Sequence, residues 1–383
     1  MQRREFVIGS SGTALALLGS HSMANAAITA STEDGIDWYN VKDWGVEGRG
    51  FSETKSYFDR LPAKAEAVVR KAVWGLSLHS AGMSSRFNTG SRDLHVRYRL
   101  KSGNVAMPHM PATGVSGVDL YGTNEAGQAR WISVTRPSAR DVNYKLATGI
   151  DPAGPDGRLY TAYLPLYNGI EKMEVGVREG SRFAPIAPRT KDTIVFYGTS
   201  IMHGACASRP GMALPAILGR WYNRPVINLG FSGNGMLELE LADLLGELDA
   251  SVYCVDCLPN LVPELVKQRT IPFFERLRKH RPDTPILMVE DRSYTNSPFY
   301  QRLRDRHEGS RGAFRSGFDT LKKAGDKNLH YLEGKDLLGG DGEAATDGSH
   351  PNDLGFMRYA EHYQVALDQI IQHPPAKTAP RTE

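Results

Sequence analysis

Between residues 94 and 100, apolar and polar positions alternate without a break. Leu94, Val96, Tyr98 and Leu100 interleave with His95, Arg97 and Arg99, the period-two pattern of a half-buried strand. Met173, Val175 and Val177 alternate with Lys172, Glu174 and Gly176 in the same way. Asn168-Gly169 separates that strand from the apolar run Leu159–Tyr167, and the dipeptide predicts a hairpin. Further short strands are expected at Val115–Tyr121 and Trp131–Val134. Many short strands with little helical periodicity predict a β-sandwich or jelly roll over residues 28–188.

The period changes after Pro188. Thr193–Tyr197, Val226–Leu229, Ser251–Val255 and Ile286–Val289 are short continuous apolar runs, as central parallel strands covered on both faces require. Amphipathic stretches lie between and after them, near Pro210–Trp221, Leu237–Leu248, Pro263–His280 and Tyr300–Lys323. A last helix is expected from about Asp353 to Ile371. Alternating strand and helix predict a three-layer α/β domain over residues 189–372. The Pro-rich, charged tail at 373–383 is expected to be disordered.

Length agrees with this division, because 383 residues exceed one domain of roughly 100–200. A net charge of +3 with no basic stripe argues against a protein built to hold nucleic acid electrostatically. The arginines at 302, 304, 306, 311 and 315 are interspersed with Asp305 and Glu308, which predicts a solvated helix face. Residues 1–27 read as a targeting signal: Arg3-Arg4, a short apolar run from Thr13 to Leu18, and an Ala24-Asn25-Ala26 cleavage site. The run is too short to span a bilayer, which takes about 20 residues, so no stable membrane insertion is expected. Arg-Arg-x-Phe resembles a twin-arginine signal, and an ordinary secretory signal is the alternative. Both predict a periplasmic or secreted bacterial protein. Three cysteines cannot all pair, and Cys254 and Cys257 stand three apart on a predicted strand, on opposite faces. Buried free thiols are expected. No ligand cluster with metal-like spacing occurs, so neither metal nor other cofactor is expected.

In an open α/β sheet, ligands bind beyond the carboxyl ends of the strands. Gly198-Thr199-Ser200-Ile201 follows the first parallel strand, and Gly230-Phe231-Ser232-Gly233-Asn234-Gly235 the second. Asp256-Cys257-Leu258-Pro259-Asn260 follows the third, and Asp347-Gly348-Ser349-His350 precedes the last helix. Together these supply a nucleophile, a base, a carboxylate to orient the base, and donors for a developing oxyanion. His203 is a competing base, but no carboxylate lies near it in sequence. Cys206 and Arg209 fall where they could line a pocket, and Arg209, Asp291, Arg292 and Tyr294 are candidate substrate contacts. No G-x-S-x-G surrounds Ser200, which argues against the α/β-hydrolase elbow.

These four blocks, in this order, resemble those of the SGNH (GDSL-like) hydrolase superfamily. Thr199 and Ile201 depart from the G-D-S-L form, and D-C-x-P-N stands where G-x-N-D is usual. Both departures resemble a subgroup whose N-terminal β-domain carries G-x-D-L-Y, matched here by Gly117-Val118-Asp119-Leu120-Tyr121. The resemblance implies a flavodoxin-like parallel sheet after the sandwich. It also implies Ser200 as nucleophile, His350 as base, Asp347 as its partner, and an oxyanion hole of the Ser200 and Gly233 N–H groups and the Asn260 amide. The implied activity is hydrolysis of an O-acyl ester, an acetyl group on a carbohydrate being the preferred reading. A lipase or thioesterase acting on acyl chains, or a catalytically silent glycan-binding protein, are the alternatives. The β-domain could also shape the active site, with His109 reaching it.

Overall fold

The computed structural model describes residues 28–371, so the expected signal at 1–27 and tail at 373–383 lie outside the described residues. The first half contains ten strands: β1 (Ser31–Glu33), β2 (Ile36–Asn40), β3 (Ser84–Thr89), β4 (Leu94–Leu100), β5 (Asp119–Thr123), β6 (Ala129–Val134), β7 (Asp141–Ala147), β8 (Arg158–Tyr163), β9 (Ile170–Arg178) and β10 (Phe183–Ile186). Two short helices, α1 (Lys71–Ser77) and α2 (Ala112–Val115), interrupt them. The strands form two five-stranded antiparallel sheets, ordered β1-β2-β9-β4-β7 and β10-β3-β8-β5-β6. Val96, Tyr98 and Met173 of one sheet and Phe87, Leu120 and Tyr160 of the other share one apolar core, as the alternation predicts for a sandwich.

The expected hairpin at Asn168-Gly169 is not formed. β8 pairs with β3 and β5, whereas β9 pairs with β2 and β4 in the other sheet. The link is therefore a crossing between sheets, and Asn168 is a buried brace there. Its side chain accepts from the Ser102 N–H (3.1 Å) and donates to the Ser102 carbonyl (3.0 Å) and Ser116 Oγ (3.1 Å). The strand expected at Val115–Tyr121 divides into the end of α2 and the start of β5.

The second half opens with β11 (Ile194–Gly198) and continues through α3 (Ser200–His203), α4 (Leu214–Tyr222), β12 (Val226–Gly230), α5 (Leu239–Leu245), β13 (Val252–Asp256), α6 (Pro263–His280), β14 (Ile286–Val289), α7 (Gln301–Lys323), β15 (Leu329–Leu332) and α8 (Asp353–Ile370). The strands form one parallel sheet in the order β12-β11-β13-β14-β15, the doubly wound flavodoxin-like arrangement. Alternation within its strands sorts the two faces. Ile194 and Phe196 join Val252 and Cys254 under α4 and α8, while Val195 and Tyr197 join Tyr253 and Val255 under α5, α6 and α7. Cys254 and Cys257 fall in opposite layers, and all three cysteines are free and buried.

The described boundary between the halves is less clean than the composition change at Pro188. Phe51, Leu61, Ala65, Val69 and Val73 pack into the α5–α6 layer of the parallel sheet. Arg60, also from this stretch, is only 2% exposed and has no carboxylate partner among its hydrogen bonds. It donates to the carbonyls of Asn228 (3.0 Å) and Gly230 (2.8 Å) at the end of β12, and to those of Leu76 and His79 in its own stretch. Burial pulls this guanidinium down to about 9.

Candidate active site

Ser200 sits at the first position of α3, directly beyond the carboxyl end of β11. Thr199 caps the helix by accepting from the Ile201 N–H, and the Ser200 N–H, in the first turn, has no intrahelical acceptor. Gly230 lets β12 approach α3, because a Cβ there would lie 2.1 Å from the His203 nitrogen. The Asp347–His350 loop comes in from the other side, immediately ahead of α8. Its geometry is a chain of three side chains. Ser200 Oγ lies 2.8 Å from His350 Nε2, and His350 Nδ1 lies 2.8 Å from Asp347 Oδ2. A carboxylate only accepts, so Nδ1 carries the proton and Nε2 is free to accept from the hydroxyl.

Asp347 is held in place by its own loop. Oδ1 accepts from the N–H groups of Ser349 (3.0 Å) and His350 (2.8 Å). Burial would raise its carboxyl, but those bonds and the imidazole outweigh it and bring it down to about 2. The loop is braced from behind by residues after β14. Arg292 donates from Nε to the Ser349 carbonyl at 3.0 Å and from Nη2 to Ser349 Oγ, and the Thr295 N–H donates to Gly348.

Three of the four expected substrate contacts are thereby reassigned. Asp291 and Arg292 form an ion pair at 0% and 1% exposure, so neither can touch a substrate directly. Arg209 is spent on the β-domain: Nη1 donates to Asp119 Oδ2 (3.0 Å) and to the Tyr121 hydroxyl (2.6 Å). Tyr294 lies beneath Arg292, 4.5 Å from ring centroid to guanidinium, and its hydroxyl accepts from Arg306. It remains partly exposed at the edge of the loop.

Gly233, in the loop after β12, has φ +66°, and a Cβ there would project into open space. Asn260 comes from the turn after β13, and its amide donates one N–H to the Asn234 carbonyl, which ties the two loops together. His203 is fully buried, stacked on Tyr167 at 4.1 Å and beside Arg60, and burial drives it well below the ordinary imidazole range. It is not placed to serve Ser200. Cys206 is 7% exposed, and burial raises its thiol to about 11, so it is a protonated neighbour of the site.

The β-domain does reach this site. Met107 and Met110 exchange both backbone hydrogen bonds at 3.0 Å, which closes a tight turn with Pro108 and His109 at its tip. Met110 is buried in the same core as Ala205, Cys206 and Ala207, and exposed His109 stands with its ring 6.3 Å from that of His350. The G-x-D-L-Y motif has a structural reason as well. Asp119, fully buried, accepts from Arg209, from the Gly211 N–H (2.8 Å) and from Trp131 Nε1 (2.9 Å), so it locks the sandwich to the loop after α3. Among the described residues no group of His, Cys, Asp and Glu is placed to hold a metal ion.

A parallel sheet with a Ser–His–Asp chain at its carboxyl edge defines the class of serine hydrolases. Comparison with known proteins narrows this. Residues 191–368 match the GDSL-like lipase/acylhydrolase family, and residues 36–183 match the GxDLY domain, the N-terminus of SGNH-hydrolase-type esterases. A protein described as a GDSL-like lipase from Bacteroides ovatus is 31% identical with a TM-score of 0.83, the match covering 88% of this chain and 98% of that one. A salicylyl-acyltransferase from a tetracycline biosynthetic pathway is 21% identical, TM-score 0.67, over 89% and 96% of the two chains. A family two carbohydrate esterase from Cellvibrio japonicus is 12% identical, TM-score 0.57, over 88% and 98%. These last two share the fold. No curated protein matches the chain by sequence. The chain belongs to the GDSL-like lipase/acylhydrolase family and is a carboxylic ester hydrolase with an N-terminal GxDLY domain.

Proposed function

We propose that this enzyme is an exported esterase that removes acetyl groups from carbohydrate through an acyl-enzyme on Ser200. The observation that carries the mechanism is the unbroken chain Ser200 Oγ–His350 Nε2 and His350 Nδ1–Asp347, each link 2.8 Å. Ser200 Oγ attacks the ester carbonyl carbon while its proton passes to His350 Nε2. The negative oxygen that forms is held by the Ser200 and Gly233 N–H groups and by the second N–H of the Asn260 amide. The C–O bond to the sugar then breaks, and the sugar hydroxyl leaves with the proton from His350. Water, deprotonated by the same imidazole, attacks the acyl-serine and releases acetate and free Ser200.

The carbohydrate reading is supported by the polar loops at the site and by a fold shared with carbohydrate esterases, and export by the arginine-bearing N-terminus. Acetate release from a panel of acetylated glycans, set against long-chain acyl esters, tests the substrate. Activity confined to the long chains would replace this reading with a lipase.

Asn260→Ala should lower kcat by on the order of 10²–10³, as loss of one oxyanion donor does. A change in KM alone would instead make Asn260 a binding residue. The pH profile follows from Asp347. With its carboxyl held down to about 2, Asp347 stays ionised throughout the useful range, so kcat/KM measured across pH should show no loss between about pH 5 and 4 traceable to this carboxylate. Asp347→Asn should cost activity severely and His203→Ala little. A dead His203→Ala with an active His350→Ala would show that the wrong histidine has been assigned.

A further inference from the structure

We propose that the cleft between the sandwich and α4 is a second, non-catalytic site that binds the carboxylates of an acidic glycan. It has a volume of about 770 Å³, enough for a small oligosaccharide. Five arginines line it, Arg86, Arg130, Arg189, Arg220 and Arg224, against a single carboxylate, Glu47. The whole chain carries a net charge of only +3, so this cleft concentrates its surplus.

The pairing inside the cleft leaves that surplus available. Glu47 is 6% exposed and bracketed by Arg86 (3.1 Å) and Arg189 (2.7 Å). The other three guanidiniums are not matched by it. Arg130 is exposed and bonds only within its own hairpin, to the Gln128 side chain and the Ala129 carbonyl. Arg224, its side chain 11% exposed at the cleft wall, donates to Ser251 Oγ (3.2 Å) and the Asp192 carbonyl (3.5 Å) and stands 4.0 Å from the Asp192 carboxylate. Arg220 lies over Tyr121, its guanidinium 4.2 Å from the ring centroid, gives one N–H to the Gly211 carbonyl and forms no ion pair with a carboxylate among the described residues. Guanidiniums held rigidly against rings and carbonyls present planar forks, the geometry that suits a carboxylate. Trp221, partly exposed on the same wall, supplies an apolar surface for a sugar ring.

The cleft is remote from the chemistry. It meets the parallel sheet at Val226, where β12 begins, whereas Ser200 follows the end of β11. A five-residue strand, roughly 16 Å long, separates the two levels. A glycan held here would be retained near the enzyme without occupying the site at Ser200. The glycan identity rests on the carbohydrate reading above; the anion chemistry does not.

The test titrates the full-length protein with unesterified hexagalacturonate, xylohexaose and a single-stranded DNA of matching charge. Hexagalacturonate should bind, less tightly as salt is added, and neutral xylohexaose should not. Arg130→Glu and Arg224→Gln should each weaken that binding about tenfold while hydrolysis of 4-nitrophenyl acetate stays unchanged. Absence of hexagalacturonate binding, equal binding of xylohexaose, tighter binding of the DNA, or wild-type affinity in Arg130→Glu would each overturn the proposal. Failure of the enzyme to deacetylate any glycan would overturn the substrate reading and leave this binding measurement standing.

Discussion

Ser200→Ala is expected to abolish hydrolysis of an activated acetyl ester, with kcat down by on the order of 10⁵–10⁶, while the protein unfolds at the wild-type temperature. The hydroxyl makes its one side-chain bond to His350, whose ring is partly open to water, so its loss strands no buried partner. Fold and chemistry therefore separate in this variant. The triad should also behave as a unit. His350→Ala combined with Ser200→Ala should cost little more than either alone, because a base without a nucleophile has nothing to deprotonate. Turnover near wild type in a folded Ser200→Ala protein would remove Ser200 from the mechanism.

Asp119→Ala should do the reverse and damage the fold far from the reacting atoms. Its carboxylate is fully buried and accepts from Arg209, Gly211 and Trp131 at 2.8–3.0 Å. Removing it leaves a largely buried guanidinium and two N–H donors without their acceptor, a loss of roughly 3–5 kcal/mol. Urea denaturation reads this directly. The double variant Asp119→Ala with Arg209→Met should recover part of the loss, since the stranded charge is then gone. An unchanged midpoint in Asp119→Ala would mean that the lock contributes nothing to stability.

Local pattern was enough to locate elements whose apolar positions repeat within a few residues. Alternation alone gives β4 its observed bounds, and α6 and β14 coincide with the expected Pro263–His280 and Ile286–Val289. Pairing is a different matter. Asn168-Gly169 reads as a turn because such dipeptides tolerate turn geometry, yet here buried partners at Ser102 and Ser116 give Asn168 another use. β3 went unseen because Ser84, Ser85 and Thr89 are polar and nevertheless buried. β7 alternates at Val142, Tyr144 and Leu146, a signal sufficient to find it.

At the site, the blocks that carry Ser200, Gly233, Asn260, Asp347 and His350 are legible because each follows a strand or precedes a helix. What supports them is not legible. Arg292 behind the Ser349 loop and Arg209 against Asp119 look, in sequence, like free cations near a pocket. Their partners lie 57 and 90 residues away, beyond any local pattern. Arg60 gave no signal at all.

Arg60 also sets the order in which the molecule can be completed. Two of its acceptors, Asn228 and Gly230, are 168 and 170 residues downstream. A nascent chain that stops short of β12 holds a cation two of whose acceptors have not yet been made, in a segment whose apolar side chains await the same sheet. The stretch from Phe51 to His79 therefore cannot settle before the parallel sheet exists, and long-range closures of this kind are slow. Cutting the gene at the change in composition would divide two sequence families but would not yield two bodies. A catalytic half expressed from residue 189 onward would lack the guanidinium that closes the end of β12 and the side chains that cover its α5 layer.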